Sequence, residues 1–135
     1  MRTERFGDRI VTRSCPMALW PSKTRDGLDM KPDARFDRNE TEKKWKKGKD
    51  MTDSWNISVG SLMAELRFSP NGQVGIFPEQ HDNWQWIADQ VAKRTDKPLK
   101  ILNLFGYTGM STLHASAPHT EVCHVDGAKS AISWA

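Results

Sequence analysis

The sequence predicts an α/β protein: a β-hairpin-rich N-terminal segment followed by the opening of a Rossmann-like domain that stops early. Three observations carry this. The continuous apolar run Leu99–Leu104 leads into Phe105-Gly106-Tyr107-Thr108-Gly109 and then a helix-like stretch. Twenty residues past Gly106, Asp126 closes a second apolar run, Val122-Cys123-His124-Val125. Strand, glycine turn, helix and acid-ended strand form the first unit of a nucleoside-cofactor fold. Upstream, residues 55–59 and 62–68 alternate apolar and polar side chains, the period of half-buried strands. The chain divides on this reading into a β-rich segment with a basic loop, 1–74, and the start of a cofactor domain, 75–135.

Taken in order, Arg9-Ile10-Val11-Thr12-Arg13 reads as a short edge strand. Pro16 and Pro21 hold Met17–Trp20 in extended or turn conformations, with Trp20 as a buried anchor. Residues 21–50 read as the least structured part, with turn signals at Asp26-Gly27 and Lys31-Pro32-Asp33. Trp55, Ile57 and Val59 share one strand face, as do Leu62, Ala64, Leu66 and Phe68, with Gly60-Ser61 as the hairpin turn. Asp82 or Asn83 is the expected cap of a helix whose inner face is Trp84, Ile87, Ala88 and Val91, leaving Trp86 outside. Lys93-Arg94 suit its C-terminal end. Leu99–Leu104 suits a strand buried on both faces, with Lys100 at its edge. A helix over Met110–Ala117 presents Met110, Leu113 and Ala117 and stops at Pro118. A second strand, Glu121–Val125, precedes a helix from Ala128 with Ala131, Ile132 and Trp134 for packing.

Hydrophobic residues make up 37% of the 135 and charged residues 27%, a soluble globular balance. No run approaches the length of a membrane span, and the N-terminus carries no apolar leader. Cys15 and Cys123 form neither a disulfide framework nor a zinc pair, so a cytoplasmic setting is expected. The net charge is +3, but residues 1–50 hold 14 Lys+Arg against 9 Asp+Glu, and residues 51–135 hold 6 against 8. Within the basic part, Trp45 sits among Lys43, Lys44, Lys46, Lys47 and Lys49. That arrangement suits either a base-stacking platform with phosphate contacts or a packed tryptophan ringed by solvated lysines. The second is the simpler reading.

The glycine loop carries the chemistry. At the ends of parallel strands, free helix N–H groups face a crevice and glycine lets a ligand approach the backbone. Gly106 and Gly109 flank Tyr107-Thr108, and Thr108 is a fair helix cap. Asp126 stands where an acid accepts both ribose hydroxyls. A dinucleotide fingerprint needs a glycine two residues before Gly106, where Leu104 stands, and Phe105 and Tyr107 crowd a pyrophosphate. S-adenosylmethionine, with no phosphate, is compatible. His114, His119 and His124 are spaced by five and five but fall on helix, loop and strand, so no metal site is expected. Cys123, inside a strand, reads as a core residue.

Asn103-Leu104-Phe105-Gly106-Tyr107-Thr108-Gly109 resembles the Asn-x-Phe-x-Tyr-Thr-Gly motif of class I S-adenosylmethionine-dependent methyltransferases related to the large-subunit ribosomal RNA cytosine-C5 enzymes. His124-Val125-Asp126-Gly127-Ala128-Lys129 is similar to their second-strand motif, His-Val-Asp-x-Ser-Lys, with Ala128 in place of serine. Gly75-Ile76-Phe77-Pro78-Glu79-Gln80 with Asn83 looks like their approach segment, and Glu4–Gly7 and Ala18–Pro21 resemble the N-terminal part of one bacterial subgroup. Relatives often carry arginine where this chain has His81, and a small glycine-containing turn where it has Pro118-His119-Thr120.

The resemblance implies that Phe105, Gly106, Tyr107, Thr108 and Gly109 wrap the methionine end of S-adenosylmethionine. It implies that Asp126 holds the ribose and that Phe77, Glu79, Gln80 and Asn83 line the same pocket. It further implies an RNA substrate, a ribosomal base. Catalytic residues are expected beyond the C-terminus, so the 135 residues by themselves are expected to be inactive and poorly stable. Two other classes remain open: a non-catalytic nucleic-acid-binding module built on 43–49, and a nicotinamide-dependent oxidoreductase, which Leu104 disfavours.

Overall fold

The computed structural model describes residues 1–19, 31–42 and 44–135. The chain forms two compact units, Met1–Val74 and Gly75–Ala135.

In the first unit, β1 (Arg2–Phe6), β2 (Arg9–Arg13), β3 (Ala34–Phe36) and β4 (Lys46–Lys47) form a four-stranded sheet in that order. β1 and β2 are antiparallel, with Arg2 opposite Arg13 and Phe6 opposite Arg9. β2 pairs in parallel with β3, and β3 antiparallel with β4. Thus β2 is an internal strand, not the edge its polar ends suggested, and Ile10, Val11 and Arg13 are buried. Arg13 sits inside because its charge is matched: its Nε donates to Glu4 Oε2 at 2.8 Å, and its Nη1 reaches the side-chain oxygen of Gln73. The guanidinium carbon also lies 5.8 Å from the Phe6 ring centre.

Residues 31–42 and 44–50 are more ordered than their turn signals suggest. Asp33 closes a reciprocal pair with Ile10: its amide donates to the Ile10 carbonyl, and its carboxylate accepts the Ile10 amide at 2.7 Å. That clamp launches β3, a three-residue strand too short to show periodicity in the sequence. Trp20 and the Asp26-Gly27 turn lie outside the described residues.

β5 (Ser54–Val59) and β6 (Leu62–Arg67) form the expected hairpin around Gly60-Ser61. Trp55 opposes Leu66, Ile57 opposes Ala64 and Val59 opposes Leu62, so the apolar side chains share one face while Met63 faces solvent. Leu66, Val11 and Val74 are fully buried in this unit, each contributing about 1.5–3 kcal/mol by burial.

In the second unit, a single 3₁₀ turn at Pro78–Gln80 leads into α1 (His81–Ala92). Trp84 and Val91 are buried, Ile87 and Ala88 half-buried, and Trp86 exposed, as the helical spacing requires. The expected cap is not used. Gln80 is the N-cap and makes no side-chain cap bond, because the preceding turn already delivers the chain in near-helical geometry; Asp82 lies in the first turn instead.

β7 (Leu99–Leu104) and β8 (Thr120–Val125) pair in parallel, in register from Leu99 opposite Thr120 to Leu104 opposite Val125. α2 (Met110–Ala115) crosses between them and packs on β7 and β8, and α1 packs on α2. Among the described residues, only one face of this sheet is covered. Leu99, Ile101 and Asn103 are half-buried with Thr120, Val122 and His124, whereas Leu102 is 60% and Leu104 56% exposed. Burial on both faces is therefore not realised here: the apolar run supplies a second face with nothing against it among the described residues. Cys123 and Val125 share that open face, so Cys123 is an exposed thiol and not a core residue. Lys100 also stands there, 3.7 Å from Glu121.

α2 is shorter than its apolar pattern suggested and buries Met110 and Ala115, leaving Leu113 exposed. The short α3 (Lys129–Ile132) buries Ala131, and Ile132 is exposed.

Candidate functional site: the loop at the end of β7

Where β7 ends, the backbone turns through Phe105-Gly106-Tyr107-Thr108 before α2. The turn is unusual in where its left-handed residues fall. Phe105 (φ 61°) and Tyr107 (φ 51°) take positive φ, and Gly106 between them does not. Left-handed geometry costs an L-residue roughly 1–2 kcal/mol, so other contacts must impose this shape. The Gly106 amide donates to the Val125 carbonyl at 2.9 Å, and the Tyr107 amide donates to Asp126 Oδ2 at 2.8 Å. Asp126 Oδ1 accepts the Ala128 amide at 2.8 Å. These N–H groups, Ala128 first and Tyr107 second, hold the Asp126 carboxyl below its ordinary pKa, with a smaller contribution from His124.

A second set of contacts fixes the segment before α1 to the loop. Thr108 does not cap α2, whose N-cap is Gly109 at φ 99°. Its hydroxyl instead donates to the Gly75 carbonyl. Gly75 takes φ 94°, and a Cβ there would lie 2.3 Å from the Trp134 ring. Gly75 is thus held between Thr108 and Trp134, which delivers Ile76 and Phe77 to the loop. The Phe77 and Tyr107 rings meet with centroids 4.7 Å apart.

Loop and approach segment enclose a cleft of about 370 Å³, within the range of small-molecule sites, about 300–1,000 Å³. Of the residues expected at the cofactor, Phe77, Glu79, Gln80, Phe105, Gly106, Tyr107 and Thr108 line it. Gly109, Asn83 and Asp126 do not. Gly109 is buried at the start of α2, and Asn83 stands one step back, its Nδ2 donating to Gln80 Oε1 at 2.8 Å. Asp126 braces the loop through Tyr107. His81, at the position where relatives carry arginine, is exposed at the start of α1 with its ring nearly perpendicular to that of Trp84, and is not part of the cleft wall.

The cleft also takes in Ile76, Trp84, Asn103, Leu104, Met110 and Ser111. Trp84 was legible only as a core residue of α1; it is buried and stacked on His114, with its cleft role set by how α1 meets α2. Ser111 carried no sequence signal beyond its place after the glycine loop.

The three histidines spaced by five serve separate ends. His114 Nδ1 bonds its own helix at the Met110 carbonyl, His119 Nε2 reaches the Val91 carbonyl at 3.3 Å, and His124 Nδ1 pairs with Thr112 Oγ1.

In the first unit, Trp45 is packed, in line with the simpler reading of the basic stretch. Its indole N–H donates to the Ser69 carbonyl at 2.8 Å, and its ring lies between Phe36 and Phe68. Lys44, Lys46 and Lys47 are paired with Glu42, Glu40 and Asp53. Lys43 is outside the described residues.

A scan of protein-family models finds no match, and a search of curated proteins finds none either. Among solved structures, a SAM-dependent methyltransferase from Agrobacterium tumefaciens is similar to 98% of this chain, with 38% sequence identity and a TM-score of 0.82. The chain spans 42% of that protein's length.

Proposed function

We propose that this chain builds the S-adenosylmethionine side of a class I methyltransferase site of the RNA cytosine-C5 type, with an RNA base as methyl acceptor. The observation that carries the cofactor assignment is the junction at the strand ends. There a left-handed aromatic loop, anchored on an acid at the tip of the next parallel strand, walls a cleft of small-molecule size. The likeness to a SAM-dependent methyltransferase along nearly the whole chain supports the same reading.

Seven of the ten residues expected at the cofactor line the cleft, which supports that ligand. A carboxylate offers about four acceptor sites; Asp126 stands outside the cleft lining and uses one on Tyr107 and one on Ala128, and we assign its remaining capacity to the ribose hydroxyls. Bound S-adenosylmethionine supplies an electrophilic methyl on a sulfonium. The Phe77 and Tyr107 rings, tilted 43° to one another in the cleft wall, would favour a cation placed over a ring face by roughly 0.5–2 kcal/mol. The protein's task is then positioning, holding the methyl in line with its acceptor. No residue of this chain is assigned a catalytic role. The open face of the β7–β8 sheet supports the reading that further polypeptide completes the site.

Isothermal titration tests the assignment. S-adenosylmethionine is expected to give a saturable one-to-one isotherm with the folded chain, and NADH none. A flat isotherm with S-adenosylmethionine on folded protein overturns it.

A further inference from the structure

Gly106 does not use the conformational freedom of glycine, since its φ lies outside the left-handed region. What excludes a side chain there is space. A Cβ at position 106 would lie 2.4 Å from His124 Cε1, 2.6 Å from Nδ1 and 2.8 Å from Nε2. The imidazole occupies the volume that a residue larger than glycine would need.

The ring is itself held in place. His124 Nδ1 lies 2.7 Å from Thr112 Oγ1, which also accepts Asn103 Nδ2 at 2.8 Å. The chain Asn103–Thr112–His124 therefore joins β7, α2 and β8 beneath the loop. His124 Nε2 is buried with no hydrogen-bond partner among the described residues. A buried polar atom of this kind is costly to keep, and a leucine or valine would fill an inward strand position more cheaply. The imidazole differs from such a side chain in its bond to Thr112, which fixes the ring under the loop.

We propose that His124 is a positioning residue for the cofactor loop, and that residues 106 and 124 specify each other by size. The imidazole fills the space under Gly106, so that the Gly106 and Tyr107 amides meet Val125 and Asp126. The tie through Thr112 sets its height. This rests on the S-adenosylmethionine reading for its consequence, cofactor affinity, but the coupling of 106 to 124 stands apart from it.

A double-mutant cycle tests the pair. Gly106→Ala is expected to weaken S-adenosylmethionine binding at least tenfold while the chain stays folded, because the new methyl pushes the loop off the ring. His124→Ala is expected to weaken binding about fivefold by leaving the loop unsupported. In the double variant the methyl added at position 106 enters the space the imidazole has left. That variant is expected to bind at least fivefold more tightly than the product of the single effects allows. In the same proteins, the Tyr107 amide resonance reports the bond to Asp126. It should move in Gly106→Ala and return toward the wild-type position in the double variant. Additive losses of affinity, or a Tyr107 resonance unmoved by Gly106→Ala, overturn the proposal. If the wild-type chain binds no S-adenosylmethionine, the cofactor reading fails and the amide resonances alone decide the pairing. A merely structural role for His124 would lower all melting temperatures without this reciprocal recovery.

Discussion

The Asp126 carboxylate accepts the Tyr107 amide at 2.8 Å, and so one acid ties the tip of β8 to the loop that ends β7. The same carboxylate holds the start of α3 through Ala128. Asp126→Ala removes both anchors together with the acceptor offered to a ribose. The expected outcome is a loss of S-adenosylmethionine affinity of tenfold or more by isothermal titration. Asp126→Asn keeps one acceptor oxygen and should fall between the two.

The pH dependence follows from the same contacts. The two N–H groups favour the ionised carboxyl, so the Asp126 pKa is lowered from 3.8. A depressed folded-state pKa contributes stability that is fully present above the unfolded value and is lost as pH falls through the folded one. The Tyr107 amide resonance is therefore expected to hold steady from neutral pH down to about the ordinary carboxyl range. It should move only below that range, at a lower pH than an ordinary solvated carboxyl takes up its proton. Movement near neutral pH would contradict the assignment.

Phe105 combines φ 61° with 89% exposure. Its side chain gains little from burial while its backbone sits in a costly region. Phe105→Gly removes a penalty of about 1–2 kcal/mol and adds unfolded-chain entropy of about 0.5–1 kcal/mol. The expected result is a melting temperature equal to or slightly above wild type. Affinity for S-adenosylmethionine should fall at the same time, because the ring leaves the cleft wall. Lower stability with unchanged affinity would show that the ring serves packing instead.

Arg13 gives a prediction in the first unit. It is buried, paired with Glu4 at 2.8 Å and bonded to the loop at Gly72-Gln73. Glu4 retains a second partner, Arg2, at 2.9 Å. Arg13→Ala should therefore cost near the low end for a broken buried pair, about 3 kcal/mol, read as a lower urea midpoint.

The sequence was most legible where one physical signal sufficed. Two-residue alternation placed Trp55, Ile57 and Val59 on one face, and helical spacing separated Trp84 and Val91 from Trp86. The fold of the second unit followed from Leu99–Leu104, the glycine loop and Asp126. Legibility failed where a partner distant in the chain decides the outcome. β3 exists because Asp33 clamps Ile10, a contact 23 residues away. Thr108 gave up its cap position for the Gly75 carbonyl, 33 residues back. Composition could not tell that Leu102, Leu104 and Cys123 would face outward. That depends on how many layers pack against the sheet. Gly106 lines the cleft as its place in the loop predicts, and its missing side chain also leaves room for His124, which no local pattern shows.

The uncovered face of the β7–β8 sheet makes Cys123 a chemical reporter. Its thiol stands beside Leu102 and Val125 on a surface whose other marked features are the Lys100–Glu121 pair at one end and Leu104 at the other. A maleimide or iodoacetamide reagent should modify it readily in the isolated chain, without unfolding. Whatever polypeptide lies over this face in a larger assembly must slow that reaction, so, with the half-buried Cys15 replaced by serine, the alkylation rate at a single atom measures how completely the sheet is covered.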